Sequence, residues 1–561
     1  MFAATNIFDY FDETRAAHGE GAPWSARVPR RPQPTYDLKL APRVPSWRED
    51  AASLEALERI EAQPWVGSVI RRGNEVRVRL ADSWIQMAGA TLEAGGGAEV
   101  TLSDLVQGRR FAVQFWDANA TKALHVGHLR NLALGNALAS ALTQAGGQVE
   151  RRSVISDAGR SMGEAMAGVL QSGRHQQSWP DAGHKSDHFV GLCYADYVAA
   201  GGFADEGLDG REDSLAREIL VQDDSADQLL KRVMEGEEEA LELWFKTRAW
   251  VIAGQRKTLA RLGISFDQVF FESDFLKDGA ELTEQGLREG KLQRRADGVV
   301  VYGTGFEHIQ EMPLVRADGQ TTQLMRAVSY WMGAPGLEGV TTVQITGTEW
   351  VAHSECIHNL MTELTPAENG GSRRGVHPTH DIFHGMVASQ KRAIGSSDEG
   401  ALLIDDLIEQ LDTRIDSDPQ MREVRRTHPF PEQIPAQVAL GYFLPHPIAA
   451  RVDFDPNKLL RVEDSLGWEV ACARARQGAP DTPLGPRPAE DLDYRFAVVQ
   501  SELYRRHLRI AVNRFDVAPL AHYLRYLARW YLQCARSEGV ERVVHTLLDR
   551  GARGLGLEAG R

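Results

Sequence analysis

Apolar positions recur along this chain with two periods, and the switches between them mark its elements. FAVQFW (111–116) is a short apolar run with one glutamine, the pattern of a buried strand. In LALGNALASALTQAGG (132–147) apolar residues return at helical spacing and end on paired glycines, which predicts a helix and its stop. QVERRSVISD (148–157) reads as the next strand, after the loop DANATKALHVGHLRN (117–131) that enters the helix. Strand, glycine-marked turn, helix and strand form one βαβ unit, so the expected fold is α/β with a Rossmann-like parallel sheet. VVVYG (299–303) and TTVQITG (341–347) read as further strands.

Upstream, EDAASLEALERIEA predicts a helix, and NEVRVRLADSWIQMA alternates like a strand before turning helical, together a small α/β unit. Residues 1–20 look like a short helix, and the proline- and arginine-rich 22–46 like a linker or extended arm. Residues 185–262 are mostly helical. From about 435 onward the pattern is helical, broken by RQGAPDTPLGPRP (476–488). The expected division is 1–107, an arm and small α/β domain; 108–432, a parallel-sheet domain with a helical insertion at about 170–262; and 433–561, an all-helical domain.

Composition narrows the class. At 561 residues the chain exceeds one typical core. No apolar run reaches the roughly 18 to 20 residues that span a bilayer, and the first residues lack a basic-then-apolar signal pattern, so no membrane partner and a cytoplasmic location are expected. Cys193, Cys356, Cys472 and Cys534 form no CxxC pair, which reads as buried thiols rather than a metal or disulfide framework. The net charge of −15 argues against nucleic-acid binding through bulk charge. A local basic face remains open, from RHLRIAVNRFD (506–516) with Arg525, Arg529 and Arg536.

The chemistry centres on TKALHVGHLR (121–130). His125 and His128, three apart, share one helix face. At a helix N-terminus beside Gly127 they suit an anion, because the backbone N–H groups and helix dipole there favour phosphate and glycine permits close approach. Imidazoles can donate to phosphate oxygens as charge develops in a phosphoryl transition state, and Lys122 adds a positive charge. Zinc helices space histidines at i, i+4 with an acid between, which HVGH lacks, so no metal site is assigned. On these four residues alone, two structural histidines at a helix start remain the other reading.

The longer stretch NATKALHVGHLRNLALGNALASALTQAGGQVERRSVISDAGRSMG resembles the nucleotide-binding signature of class I aminoacyl-tRNA synthetases, specifically arginyl-tRNA synthetase. Asn119, Lys122, His125, Gly127, His128, Asp157 and Gly159 sit in matching places. LWFKTRAWVIAGQRKTLARLGISFDQVFFES, RADGQTTQL, HGMVASQK and the C-terminal helical segments are similar to further family segments in the same order, so the resemblance covers nearly the whole chain, with 64–104 similar to a shortened tRNA-elbow domain. It implies ATP and Mg2+ as cofactors, an amino acid substrate, a tRNA partner and a monomer. It also implies roles for Lys122, His125, His128, Lys391 and Arg392 in catalysis. Gly127, Gly347, Glu349, Met386, Val387 and Ser396, with the two histidines, are then expected around ATP, although SQKRAIGSSDEG (389–400) is a degenerate form of the second signature loop.

The amino-acid side departs from the family. A tyrosine and an aspartate four residues apart normally follow the RADGQ-type hairpin; here they are Gln323 and Ala327, while Arg326 is kept. A guanidinium in a closed pocket needs a carboxylate partner, so this change is expected to weaken arginine binding. Glu272 matches one remaining acid. The family's acid on the first strand aligns with Gln114, and a later glutamine with Trp350. Gln114, Asn119, Asp157, Glu272, Gln323, Arg326, Ala327 and Trp350 are thus the candidate amino-acid-binding residues. The implied reading is a ligase that activates an amino acid as its adenylate and passes it to tRNA or a small-molecule amine, with altered choice of acid. A divergent arginine–tRNA ligase and a non-catalytic tRNA-binding paralogue are the alternatives.

Overall fold

The computed structural model describes residues 7, 10–11, 24–42, 46–94, 102–174, 184–200, 224–307, 309–365, 379–389, 392–393, 402–461, 463–476, 491–534 and 537–558. The N-terminal unit contains β1 (Trp24–Arg27), β2 (Leu38–Pro42), α1 (Ala51–Glu61), β3 (Val66–Arg72), β4 (Glu75–Leu80) and α2 (Asp82–Glu93). Its antiparallel sheet has the order β1-β2-β4-β3. The segment expected to be a linker therefore supplies two strands. Trp24, Ala26, Leu38 and Leu40 alternate into the core, but in runs of four and five residues set among prolines, too short for the alternation to stand out. Of the expected helix over 1–20, only Ile7, Tyr10 and Phe11 lie within the described residues, and all three are helical.

The central unit begins with β5 (Arg110–Trp116), α3 (Val126–Gln144), β6 (Gln148–Ile155) and α4 (Arg160–Gln171). The helical insertion follows as α5 (Ser186–Ala200), α6 (Asp224–Met234) and α7 (Glu238–Arg261). Next come β7 (Gln268–Phe271), α8 (Leu276–Arg288), β8 (Leu292–Arg294), β9 (Val300–Gly303), β10 (Glu311–Val315) and α9 (Gln323–Gly333). β11 (Val340–Gly347), α10 (Val351–Leu364) and β12 (Thr379–His384) complete it. The main sheet is parallel, in the order β12-β11-β5-β6-β7. The chain builds outward from β5 through β6 to β7, then crosses to β11 on the other side. The order reverses beside β5, and such a switch point opens a crevice at the carboxyl ends of the strands. The histidine-bearing loop leaves β5 at that point. Gly135 lets α3 lie against β5, since a Cβ there would overlap Phe115. β8, β9 and β10 form a separate antiparallel sheet, and Gly319, with φ of +88°, makes the turn that leads into α9.

Beyond it lie β13 (Val387–Ser389), β14 (Arg392–Ala393), α11 (Ile404–Ser417), α12 (Pro419–Thr427), α13 (Ile434–Gly441), β15 (Val452–Asp453), α14 (Leu466–Ala475), α15 (Leu492–Arg514), α16 (Ala518–Gln533) and α17 (Glu538–Gly554). The C-terminal helices are not independent of the central unit. β15 pairs in parallel with β13, and Arg130 of α3, wholly buried, donates to the carbonyls of Gly385, Pro447, Ile448 and Ala450 at 2.6–3.0 Å. On the other side, buried Arg495 of α15 binds Asp37 (2.7 Å), the Leu80 carbonyl (2.7 Å) and Asp82 (2.5 Å) of the N-terminal unit. α15 ends at Phe515 in the left-handed region (φ 51°, ψ 36°), whose ring lies 5.0 Å from that of His380 on β12. The proline-rich break at 476–488 lies outside the described residues apart from Arg476. No helix of the described residues is long and apolar enough to cross a membrane.

Candidate active site

The loop from β5 to α3 carries the two histidines, and the structure shows how they are held. His125 is the N-cap of α3: its Nδ1 accepts from the Gly127 N–H (3.1 Å), while His128 Nδ1 accepts from the His125 N–H (3.2 Å). The Val126 N–H goes to the Leu402 carbonyl (3.0 Å) and the His128 N–H to the His125 carbonyl (2.9 Å). The first-turn amides expected to receive phosphate are therefore already occupied. The imidazoles have taken their place as capping groups, and the anion-binding capacity moves to the rings.

Each ring uses Nδ1 as an acceptor, so the proton of each neutral imidazole sits on Nε2. Burial, with the neighbouring His128 and Lys122, holds His125 well below the usual range; burial and Lys122 bring His128 down to about 4. Both rings are thus neutral Nε2–H donors near pH 7, their centroids 3.9 Å apart and their planes tilted by 36°. His125 Nε2 is buried without a partner. A buried donor with nothing to donate to carries a desolvation cost, unless a ligand meets it.

The surrounding contacts fix this loop. Gln255 of α7 donates to the carbonyls of Asn119 (3.1 Å) and Lys122 (2.8 Å), and the ammonium of half-buried Lys122 lies 5.9 Å from the Tyr194 ring on α5. Residues 402–404 run against the signature loop: Ile404 N–H donates to the Leu124 carbonyl (3.0 Å), and His125 bridges Leu403. Residues 402–404, which follow the second-loop segment in the sequence, are therefore anchored beside the histidines. Lys391 and Ser396 lie outside the described residues, and Arg392 falls in β14. Val387 is buried and Met386 exposed at the Gly385 turn, while the Glu349 carboxylate folds over Gly347 at the end of β11.

The candidate amino-acid residues gather at the ends of β5, β6 and β7. Arg326 of α9 donates through Nε to Glu272 Oε2 (2.6 Å), which also accepts from Ser156 Oγ (2.8 Å). The acid expected to meet a substrate guanidinium thus holds one from the protein itself. Asp157 is fully buried and pushed up by burial, partly offset by Arg248 (2.7 Å) and Ser273 (2.7 Å). It orients the segment bearing Glu272. Gln323 and Ala327, half-buried, lie one turn apart on α9 with Arg326 between, and Trp350 stands against His353 at 5.1 Å. Gln114 Nε2 donates to Asp117 (3.2 Å), a residue that the reading of the sequence passed over. Its signal was present, as an acid at the exit of an apolar strand three positions past a glutamine.

The basic face expected near the C-terminus is partly consumed. Arg525 and Arg529 close on buried Glu469 at 3.0 and 2.6 Å, and Arg509 pairs with Asp104. Arg536 lies outside the described residues. One cluster among the described residues has metal-ligand spacing, Asp187, His188 and Asp405, but Lys185 Nζ already bridges both acids at 2.9 and 2.6 Å. A cation is in place, and a divalent ion does not fit there.

Residues 99–330 match the family model described as tRNA synthetases class I (R), catalytic domain. The arginine–tRNA ligase of Amoebophilus asiaticus is 28% identical over 392 residues, covering 66% of this chain and 62% of that protein. The arginine–tRNA ligase of Borrelia turicatae is 26% identical over 377 residues, covering 65% and 60%. The chain thus spans about 60% of the length of these curated relatives. Among solved structures, the arginyl-tRNA synthetase of Thermus thermophilus superposes over 98% of both chains with a TM-score of 0.66 at 19% identity. That of Plasmodium falciparum covers 97% of this chain and 96% of its own, at 0.60 and 14%. Catalytic-domain model, relatives and fold point the same way: residues 99–330 match the class I arginyl-tRNA synthetase catalytic-domain model, and the chain is similar in fold to arginyl-tRNA synthetases.

Proposed function

We propose that the protein activates an amino acid with ATP, forming an aminoacyl-adenylate and pyrophosphate, and passes the acyl group to an acceptor hydroxyl or amine. The observation that carries this is the capped imidazole pair, two neutral Nε2–H donors on one turn, one of them buried without a partner. In the step itself, an oxygen of the ionised substrate carboxylate bonds to the α-phosphorus as the bond to the pyrophosphate oxygen breaks. No general base is required. The histidines donate to phosphate oxygens as charge grows, and Lys122 with Lys391 or Arg392 offsets the charge leaving with pyrophosphate. Mg2+, when present, neutralises phosphate charge.

The amino acid is proposed to differ from arginine. Glu272 is engaged by Arg326, and the positions where the family has a tyrosine and an aspartate hold Gln323 and Ala327. The acceptor is proposed to be tRNA, in line with the relatives' names, with a small-molecule amine as the second possibility. The test is ATP–pyrophosphate exchange with arginine and a panel of other amino acids, each with and without total tRNA. Exchange with an amino acid other than arginine supports this reading. Exchange with arginine alone would overturn the altered specificity and leave a divergent arginine–tRNA ligase, and no exchange in any arm would overturn adenylate formation.

A further inference from the structure

We propose that Asp405 is a positioning residue for the imidazole pair, and that through it the helical insertion, not the parallel sheet alone, sets the turn that bears the histidines. This rests on the adenylate-forming reading, because it names what holds that reading's histidines in place.

Asp405 lies in the first turn of α11, one residue past the segment that runs against the signature loop. Segment and loop share a ladder of two bonds. Val126 N–H donates to the Leu402 carbonyl and Ile404 N–H to the Leu124 carbonyl, both at 3.0 Å, with His125 opposite Leu403. The two bonds flank the residue that caps α3. So short a ladder does not hold itself in water, and its register depends on what fixes 402–405 from behind.

Four side chains of the insertion do that. Asp405 is 6% exposed. Its Oδ2 accepts from Lys185 Nζ (2.6 Å) and Thr258 Oγ1 (2.8 Å) and lies 3.3 Å from His188 Nε2, while Oδ1 accepts from Arg261 (3.0 Å). Lys185 immediately precedes α5, His188 is on it, and Thr258 and Arg261 are in the last turn of α7. Lys185 also donates to Thr258 (2.6 Å) and Asp187 (2.9 Å), and a Cβ at Gly254 of α7 would overlap the Asp187 carboxylate. The two helices therefore close on each other around one ammonium. Two acids, Asp187 and Asp405, meet two cations, Lys185 and Arg261. Burial alone would raise Asp405, yet the bonds from His188, Lys185 and Thr258 hold it well below the usual carboxylate range, so it stays ionised near neutral pH.

The same helices reach the loop at a second place. Gln255, one turn before Thr258 on α7, holds the carbonyls of Asn119 and Lys122, and a Cβ at Gly191 of α5 would stand 3.2 Å from that of Lys122. The insertion thus grips the loop directly at Asn119 and Lys122, and through Asp405 at Leu124 and Val126. Each contact bears on where the His125 ring and the Lys122 ammonium point. Donors that act as charge develops lose far more from a displacement of about 1 Å than substrate binding does.

The experiment compares the full chain with Asp405→Ala, Asp405→Asn and, as a control, Leu411→Ala. Leu411 is buried six residues further along α11. In ATP–pyrophosphate exchange, Asp405→Ala is expected to lower kcat about 30- to 100-fold with the KM values of ATP and amino acid within about 3-fold. Asp405→Asn, which keeps an oxygen for Lys185 and Thr258, is expected to recover most of that loss. Leu411→Ala is expected to lower the melting temperature and leave kcat within about 2-fold. Amide hydrogen exchange read by mass spectrometry follows the loop without any activity. Residues 124–128 should exchange about 10-fold faster in Asp405→Ala and stay protected in Leu411→Ala. Unchanged protection of 124–128 in Asp405→Ala would overturn the inference. So would a kcat untouched when protection is lost, or a kcat loss that Leu411→Ala shares. Protection lost in Asp405→Ala, in a protein whose unaltered chain shows no pyrophosphate exchange, would sustain the hold of Asp405 on the loop and overturn adenylate formation instead.

Discussion

His128 offers Nδ1 to a backbone amide and keeps Nε2 for a ligand, and asparagine separates those two tasks. Its side-chain oxygen replaces Nδ1 as the cap but nothing replaces Nε2–H. His128→Asn and His125→Asn are expected to leave the melting temperature nearly unchanged and to lower the exchange rate by about 100- to 1,000-fold each. Because His128 protonates only near 4, the exchange rate of the unaltered chain should show no histidine-dependent step between pH 6 and 8. Stability carries a different signature. Burial lowers His384 to about 4 and His428 to about 3, whereas unfolded imidazoles take up protons near 6.5. Between those values the unfolded chain binds more protons, so the contribution is complete above about 6.5 and is lost as the pH falls toward 4. His428 Nδ1 accepts from the Phe430 N–H at 3.0 Å. His428→Asn keeps that acceptor without the titration, and urea unfolding from pH 7 to 4 is expected to show a shallower decline than in the unaltered chain.

Among the elements, α3 has the most to support, since it presents the histidines at one end and anchors the C-terminal region through Arg130. Arg130→Ala removes four buried charge-assisted hydrogen bonds, although the Pro447 and Ile448 carbonyls keep backbone donors, and unfolding should show a loss of about 2 to 4 kcal/mol. Lysine should recover little, because a single nitrogen cannot span the four acceptors. The elements around this helix were legible in the sequence because each carries its own period: FAVQFW, the apolar faces of 132–145 and RRSVIS all became the elements they suggest. β1 and β2 were hidden because four or five residues hold too few alternations to be read between prolines. The site divided in the same way. HVGH was recognisable from spacing, but the occupation of its amides by its own rings depends on side-chain direction. Arg326 and Glu272 were both singled out, yet their pairing needs α9 to fold back onto β7 across 54 positions, and no local pattern reports that.

Across the whole molecule, buried arginines join the three regions: Arg130 between the central unit and the C-terminal helices, Arg495 between those helices and the N-terminal sheet. Arg495→Met removes the closer of the two arginines paired with buried Asp37, leaving Arg79 at 3.7 Å, and should loosen the N-terminal unit before the rest. Limited proteolysis is expected to cut within the first hundred residues at a protease concentration that spares the unaltered chain, while exchange activity persists. At the far side of the sheet, β12 is the edge strand among the described residues, and Phe515 lies against it in a conformation that costs an ordinary residue about 1 to 2 kcal/mol. Glycine would relieve that backbone cost and remove the ring from His380. Edge strands invite pairing with other chains. The left-handed phenylalanine thus sets its ring beside that edge, and Phe515→Gly is expected to melt within a few degrees of the unaltered chain but to scatter more light during refolding at high concentration.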